Sequence, residues 1–277
     1  MYTTYWQLTK RPFEIGADPF FYYSSESHQT ILMKLRYVLE TRRGSGLLTG
    51  EPGSGKSMIL ALLAELGKTG GKLGPVFESF VPFFSGEDLL LWLAKRMAPE
   101  SFAPENIAPE EESGPKPLRR ACDAIEQFLE NAADEGLKPI LALREPAAIR
   151  NPEVWAMLRS LTALTRKSRP LLSVLLIAPK ASAASFPEFE PFLETIAELG
   201  PLSESETAAY VTHRLGKAGA ESEIFTPDAL EAIHRVTLGN PRRISRIADL
   251  ALLIGYAEKR ENLDAEMIDT LEHEMIL

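Results

Sequence analysis

The chain has 277 residues, 39 acidic and 30 basic side chains, one cysteine and 45% hydrophobic residues. This length predicts one large domain, or a domain with a small appendage, whose core needs neither disulfides nor a structural metal. The single cysteine, Cys122, excludes a cysteine-based zinc site and indicates a reducing compartment, the cytoplasm. A net charge of −9 argues against a surface that binds nucleic acid throughout.

The first thirty residues are aromatic and rich in turns, which predicts an ordered arm. We expect this arm to pack on the body of the same chain, and contact with a neighbouring subunit is the alternative. The segment has no apolar core of the kind found in secretory signals. The longest apolar runs of the chain are shorter than the roughly 20 residues that span a bilayer, so we predict no transmembrane segment.

Strands alternate with amphipathic helices up to about residue 177, which predicts βαβ units and a parallel sheet. The predicted helices are Ser27–Arg42, Lys56–Leu66, Leu89–Met97, Leu118–Ala133 and Pro152–Thr165, and the predicted strands are Leu47–Thr49, Pro75–Phe80, Ile140–Leu143 and Leu171–Ile177. Residues 98–116 are rich in Pro and Glu, which indicates a solvated loop. The basic run from Arg166 to Arg169 is interpreted as a solvated helix end, with a DNA or partner contact as the alternative.

Beyond Pro201 the pattern is all-helical. Helix starts are predicted at the capping box of Ser203 and Glu206, at Thr226-Pro227, at Asn240-Pro241 and at Asp264. The predicted domains are therefore an arm over 1–30, an α/β domain over 31–200 and a helical domain over 201–277.

One segment fits the phosphate-binding pattern G-x-x-x-x-G-K-[ST] at every fixed position, between a predicted strand and a predicted helix. Its glycines let several N–H groups point at one anion, its lysine reaches the β and γ phosphates, and its serine offers a hydroxyl to Mg²⁺. A glycine-rich turn with a surface lysine is the alternative. We therefore predict that ATP and Mg²⁺ bind here, with Ser57 as the metal ligand and with contacts from Gly50, Glu51, Pro52, Gly53, Ser54, Gly55, Lys56, Ser57 and Met58.

Several segments together resemble one family, the AAA+ ATPases of the general secretion pathway protein A (ExeA) type. They are Arg11-Pro12-Phe13, Asp18–Tyr22, His28, the loop GEPGSGKS, Phe225–Leu230 and Gly239–Ile244. The resemblance covers essentially the whole chain. It implies a P-loop parallel sheet with helices on both faces, followed by a small helical lid. It also implies self-association or a related AAA+ partner subunit.

The resemblance further implies an Asp-Glu pair after the third strand, where Asp holds Mg²⁺ and Glu orients the attacking water. This chain has Arg144 and Glu145 there, so Glu145 keeps the catalytic position and a guanidinium takes that of the metal ligand. At about 6 Å from Mg²⁺ that guanidinium would meet a repulsion on the order of 5 kcal/mol at an effective dielectric near 20. Either Arg144 contacts nucleotide phosphate, or it points to solvent and pairs with Glu145 or another carboxylate.

Two other elements that the resemblance implies for hydrolysis are missing from the sequence. No arginine occurs from Pro170 to His213, where a trans-acting arginine, a residue that contributes about 10³–10⁵ in rate, is expected. The matching stretch reads Phe192-Leu193-Glu194-Thr195-Ile196. The fourth strand ends in Ile177-Ala178-Pro179, and Ala178 has no group with which to position a water.

The elements implied for nucleotide binding persist. Arg242 follows Asn240-Pro241, where the family's lid arginine touches the γ-phosphate, and an ordinary solvated arginine is the alternative. His28 lies in the arm expected to cover the adenine, and it either helps the nucleotide pocket or serves as a local cap or packing residue.

These retained and missing elements predict a nucleotide-dependent assembly switch or scaffold that binds ATP and ADP and hydrolyses ATP weakly or not at all. An active ATPase that drives secretion or pilus assembly is the first alternative. A transposition-type DNA-targeting ATPase is ranked after it because the chain is acidic. An envelope or secretion-system protein is the expected partner.

Overall fold

In a computed structural model of the chain, the described residues are 2–41, 44–69, 71–80, 82–102, 115–182 and 186–274. They divide into two compact units. Residues 31–50 and 62–198 form the sheet unit, and residues 1–30, 51–61 and 199–277 form the loop-lid unit. The phosphate-binding segment therefore belongs with the arm and the helical region. Most of the loop predicted over 98–116 lies outside the described residues.

The helices and strands follow the predicted alternation. The first half contains α1 Tyr2–Tyr5, α2 Glu26–Glu40, β1 Ser45–Gly50, α3 Lys56–Lys68, β2 Leu73–Ser79, α4 Gly86–Met97, α5 Pro115–Asp134 and β3 Lys138–Arg144. The second half contains α6 Pro152–Ala163, β4 Thr165–Arg166, β5 Arg169–Pro170, β6 Ser173–Pro179, β7 Leu193–Leu199, α7 Glu204–Lys217, α8 Pro227–Thr237, α9 Pro241–Ala257 and α10 Ala265–Glu274.

The sheet unit is built on a five-stranded sheet in the order β2-β3-β6-β1-β7. The pairs β1-β6, β3-β6 and β2-β3 are parallel, which confirms the predicted fold class. The register places Gly50 opposite Pro179, Arg144 opposite Ile177, and Ser79 opposite Leu143. The carboxyl ends of these four strands therefore lie at one edge of the sheet, the edge where open α/β sheets bind ligands.

Buried apolar side chains explain why these segments are strands. All residues of β1 are buried, as are the first six of β3 and of β6, which is the continuous apolar pattern of strands covered on both faces. Helices α4, α5 and α6 contribute their apolar faces to the same core. Trp155 of α6 is buried there and stacks on Phe186.

Two elements of the sheet unit differ from the sequence prediction. The basic run is a β-hairpin rather than a helix end, because Lys167 and Ser168 form a two-residue turn with φ of 50° and 58°. Arg166 in this hairpin pairs with Asp134 at 2.6 Å. Strand β7 was not predicted, because the half-buried Thr195 and the exposed Ile196 break the apolar–polar alternation that indicates a strand with one buried face.

The arm packs within the loop-lid unit, as predicted. Its aromatic residues Tyr2, Trp6, Phe13 and Phe21 are buried in one core with α7, α8, α9 and α10. The Trp6 indole N–H donates to the Leu252 carbonyl at 2.9 Å. The predicted capping box of Ser203 and Glu206 is confirmed at the start of α7. None of the described helices combines the length and apolar character that a membrane crossing requires.

Candidate nucleotide-binding site

The phosphate-binding loop continues from the carboxyl end of β1 and leads into α3, in the context that the motif requires. Gly53 has a φ of +89° and Gly55 a φ of +104°, a region that favours glycine. A Cβ on Gly53 would lie 2.6 Å from the Asn240 amide oxygen, and one on Gly55 would lie 2.7 Å from His28 Nε2. Both positions therefore require glycine for two reasons, the backbone conformation and the close neighbours.

The carbonyl groups of this loop are held by protein donors. The Glu51 carbonyl accepts hydrogen bonds from the Ser54 N–H at 3.1 Å and from Lys56 Nζ at 2.9 Å. The next two carbonyls are bound by the start of α9. Asn240 Nδ2 donates to Pro52 at 3.0 Å, and the Arg242 N–H donates to Gly53 at 3.2 Å.

Asn240 has two roles, of which the sequence predicted only the helix start. Its side-chain oxygen accepts from the N–H groups of Arg242 and Arg243 and so caps α9. Its side-chain nitrogen is then free to bind Pro52 of the loop. The stem of Arg242 lies against the same loop, because a Cβ on Gly53 would be 2.7 Å from Arg242 Cβ.

The fourth carbonyl, that of Ser54, faces His28 of α2. His28 is 5% exposed, and its Nε2 lies 3.2 Å from this oxygen. Burial lowers the pKa of His28, against smaller opposing effects of the Ser54 hydrogen bond and of Glu206. The ring is therefore neutral near physiological pH.

The amide N–H groups of the loop are less occupied than its carbonyls. Within the described part of the chain, the N–H groups of Gly53 and Gly55 make no hydrogen bond. The Ser54 hydroxyl is buried and also has no partner among the described residues. Buried polar groups normally find partners, so these donors fit an anionic ligand that supplies several oxygens.

The other predicted residues of the motif lie in the same segment. Glu51 and Pro52 are exposed at its tip, whereas Ser57 and Met58 are half-buried in the first turn of α3. The loop residues Gly53, Ser54 and Gly55 lie next to three residues from other elements. These are Asn240, Arg242 and His28, and all six belong to the loop-lid unit.

The predicted hydrolysis residues lie at the carboxyl edge of the sheet unit. Arg144, the last residue of β3, forms an ion pair with Glu78 of β2. The guanidinium carbon also lies 5.0 Å from the ring centre of Phe80. The structure thus has the arrangement in which Arg144 pairs with another carboxylate. Glu78 was missed in the sequence because only the strand pairing brings it close to Arg144.

Glu145 follows Arg144 in a left-handed conformation, with φ of 48° and ψ of 50°. Its N–H donates to the Ile177 carbonyl at 3.0 Å, and its side chain is exposed. This conformation costs on the order of 1–3 kcal/mol, and such strain is concentrated at functional sites. The residue is also followed by Pro146, which further restricts its backbone.

The remaining predicted positions carry no hydrolysis group. Ala178 is fully buried in β6. The stretch that corresponds to the trans-acting arginine belongs largely to β7, where Glu198 pairs with Lys180 at 2.6 Å. Among the described residues, no group of three or more His, Cys, Asp or Glu side chains is placed to hold a metal ion.

Comparison with known proteins agrees with this geometry. A family model described as an AAA domain matches residues 39–184. General secretion pathway protein A of Aeromonas hydrophila is 31% identical over 264 residues, which are 93% of this chain and 45% of that protein. The chain thus spans about half the length of this relative. These similarities confirm the resemblance predicted from the motifs.

Solved structures show the same fold. The ORC2 protein of Aeropyrum pernix, in its ADPNP-ADP complexes, has a TM-score of 0.63 and 16% identity over 96% of this chain and 71% of that chain. The RuvB Holliday junction branch migration motor of Thermotoga maritima has a TM-score of 0.58 and 14% identity over 92% of this chain and 73% of that chain. Identities this low support the fold alone.

Proposed function

Because this chain belongs to the AAA family of ATPases, we propose that it binds ATP and ADP at the loop Gly50–Ser57. One observation carries the proposal: the loop carbonyls are held by protein donors, whereas the Gly53 and Gly55 N–H groups have no partner among the described residues. An anion with several oxygens satisfies those donors, and the N-terminus of α3 adds a favourable dipole.

Three side chains would hold the nucleotide together with the loop backbone. Lys56 would exchange its contact with the Glu51 carbonyl for the β and γ phosphates. Ser57 would bind Mg²⁺ through its hydroxyl, and the ion would neutralise part of the phosphate charge. Arg242, whose stem already lies against Gly53, would contact the γ-phosphate from the lid.

We further propose that this chain hydrolyses ATP weakly or not at all. The position that the family gives to a metal-binding aspartate holds Arg144, and Glu78 already pairs with it. Ala178 has no polar group for a water, and β7 has no arginine to act on a neighbouring subunit. Electrostatic stabilisation of the transferring phosphate is the main source of catalysis in such enzymes, so each of these losses removes part of what hydrolysis requires.

Binding without efficient turnover suits a nucleotide-dependent assembly switch or scaffold. In such a switch, bound nucleotide would change the affinity of the chain for a second copy of itself or for a related AAA+ subunit. The name of the Aeromonas hydrophila relative suggests an envelope or secretion-system protein as the partner.

Calorimetric titration with ATP and ADP, each with Mg²⁺ and with a chelator, tests the binding proposal. We expect both nucleotides to bind, and Lys56→Ala to weaken ATP binding about 100-fold because two charge-assisted contacts are lost. Lys68→Ala is the matched control, since it removes an exposed lysine from the same helix together with its ion pair with Glu65. No binding by the unaltered chain, or equal effects of the two substitutions, would refute the proposal.

An active ATPase is the second candidate, and Glu145 favours it. Its exposed carboxylate is held in a strained conformation at the strand end where the family places its water-activating glutamate. In this alternative a related subunit would supply the missing arginine. Phosphate release by the chain and its Glu145→Gln variant separates the two functions.

A further inference from the structure

His28 makes a directed hydrogen bond to the backbone of the phosphate-binding loop. Its Nε2 lies 3.2 Å from the Ser54 carbonyl oxygen, and its Nδ1 lies 2.7 Å from the Ser25 hydroxyl oxygen. A carbonyl oxygen can only accept, so the ring hydrogen is on Nε2. Nδ1 therefore accepts the hydroxyl hydrogen of Ser25, and one neutral tautomer satisfies both contacts.

Ser25 holds the imidazole ring in this orientation. It is 1% exposed, and its hydroxyl oxygen also accepts from the His28 N–H at 3.3 Å. Since its own hydrogen goes to Nδ1, the hydroxyl of Ser27, 3.2 Å away, must donate to it. Every hydrogen-bonding atom of the imidazole and of Ser25 Oγ thus has a partner, which leaves the ring little freedom.

Gly55 leaves the space that this ring occupies. A Cβ at Gly55 would lie 2.7 Å from Nε2 and 3.5 Å from Cδ2 of His28. The contact is with the imidazole itself, so the residue after Ser54 cannot carry a side chain while His28 is in place. His28 of the arm therefore packs directly against the peptide group between Ser54 and Gly55.

That peptide group has its acceptor and its donor on opposite sides. Because a trans peptide is planar, fixing the direction of the Ser54 carbonyl also fixes the direction of the Gly55 N–H. This N–H makes no hydrogen bond among the described residues, and it is one of the donors assigned above to phosphate. We propose that His28 is a positioning residue that turns the Gly55 N–H toward phosphate and does not itself touch the nucleotide.

This inference rests on the proposed nucleotide binding, and it differs from a direct contact of His28 with the adenine, the base that the arm is expected to cover. The two roles make different demands on the ligand. A residue that orients the loop acts on any triphosphate, whereas an adenine contact acts only on ligands with a base. Inorganic tripolyphosphate and ATP are therefore the two probes.

Two substitutions separate the effect of the Nε2–H donor of His28 from the effect of its aromatic ring. His28→Phe keeps an aromatic ring and removes the donor, whereas His28→Gln places an amide N–H near the position of Nε2. We expect His28→Phe to weaken both ATP and tripolyphosphate binding by the same factor, about fivefold for one lost hydrogen bond, and His28→Gln to recover most of it. Urea unfolding of each variant identifies any loss that comes from misfolding.

His234→Phe is the matched control, because it removes another imidazole of the loop-lid unit that bonds a hydroxyl, that of Thr207. It should leave both affinities unchanged. A loss for ATP alone would overturn the inference in favour of an adenine contact. Unchanged affinities in His28→Phe, or a His28→Gln variant no better than His28→Phe, would overturn it as well. If the unaltered chain bound neither ATP nor tripolyphosphate, the proposed function would be refuted instead.

Discussion

The phosphate-binding loop and the strand end at Arg144 are two candidate functional regions of the same fold, and they differ in how they are built. The loop presents backbone N–H groups, and their directions are fixed by contacts to its carbonyls. The carbonyls of Pro52, Gly53 and Ser54 accept hydrogen bonds from residues at the starts of α9 and α2. The strand end depends on side-chain identity, and here a cation paired with Glu78 stands where the family has a carboxylate.

This difference teaches how binding and hydrolysis can separate in one family. Backbone donors are present whatever the surrounding side chains are, provided that the glycines and the groups that hold the carbonyls remain. Hydrolysis needs particular charges at particular places, and one arginine reverses the charge at its centre. Substitutions in the loop should therefore change nucleotide affinity, whereas substitutions at the strand end should change the dependence on the metal ion.

Gly53→Ala should have the largest effect, because the new Cβ would meet Asn240 and Arg242 in a conformation that alanine avoids. We expect ATP affinity to fall by at least about 30-fold, which corresponds to about 2 kcal/mol. Gly136→Ala is the control, since its φ is also positive, at +76°, but among the described residues no atom beyond its two chain neighbours lies within 4 Å of the new Cβ. Calorimetry should find the ATP affinity of Gly136→Ala unchanged. Equal losses of affinity in Gly53→Ala and Gly136→Ala would mean that close contacts at the loop do not determine ATP binding.

Restoring an acid at the strand end should change the metal dependence of binding. For the unaltered chain we expect the ATP affinities with Mg²⁺ and with a chelator to differ by less than about threefold, because an arginine stands at the position that the family gives to its metal-binding aspartate. The double variant Glu78→Gln, Arg144→Asp should raise this ratio to about tenfold. Glu78→Gln alone is the control and should keep the low ratio. An affinity of the unaltered chain that vanishes without Mg²⁺ would contradict this explanation.

Asn240→Ala should weaken ATP binding about fivefold, because it removes the donor to Pro52, which is worth about 1 kcal/mol. It also removes the cap of α9, and this loss should lower the stability of the fold. Asn151→Ala makes a similar change elsewhere, since Asn151 caps α6 and donates to the Phe84 carbonyl at 2.8 Å. Urea unfolding should show comparable losses of stability for the two variants, whereas only Asn240→Ala should lose ATP affinity. A loss in both would indicate a general effect of stability.

The smallest effect concerns pH. Burial lowers the pKa values of His28 and His213 in the folded chain, whereas unfolded histidine titrates near pH 6.5. Above that value both states are neutral and stability is unaffected. As the pH falls below about 6.5, the unfolded chain binds protons first, so the free energy of unfolding should decrease. Urea unfolding should show a shallower decrease for the double variant His28→Gln, His213→Gln, and an unchanged slope would count against burial as the cause.

The sequence predicted the regular parts of this molecule because their signals are local. Parallel strands with continuous apolar runs, the glycine and lysine spacing of the loop, and caps such as Ser203 and Asn240 can all be recognised in a few residues. The hairpin at Lys167 was mistaken for a helix end, since neither turn residue is a glycine or asparagine. Strand β7 was missed because its sequence mixes polar and apolar residues.

The contacts around the candidate site depend on long-range pairing and could not be predicted in the same way. Glu78 meets Arg144 only because β2 and β3 are neighbours in the sheet. His28 was identified as a candidate from the arm, but its partner Ser54 follows from the folded path of the chain. Asn240 was recognised as a cap, whereas its contact with Pro52 needs the loop and α9 to be adjacent.

Steady-state phosphate release by the purified chain, with saturating ATP and Mg²⁺, tests most directly the claim that the chain binds ATP but hardly hydrolyses it. We expect a rate close to the uncatalysed background, and no difference between the unaltered chain, Glu145→Gln and Lys56→Ala, although calorimetry should find ATP bound to the first two. Sustained turnover by the unaltered chain that Glu145→Gln abolishes would contradict the claim and identify a working ATPase.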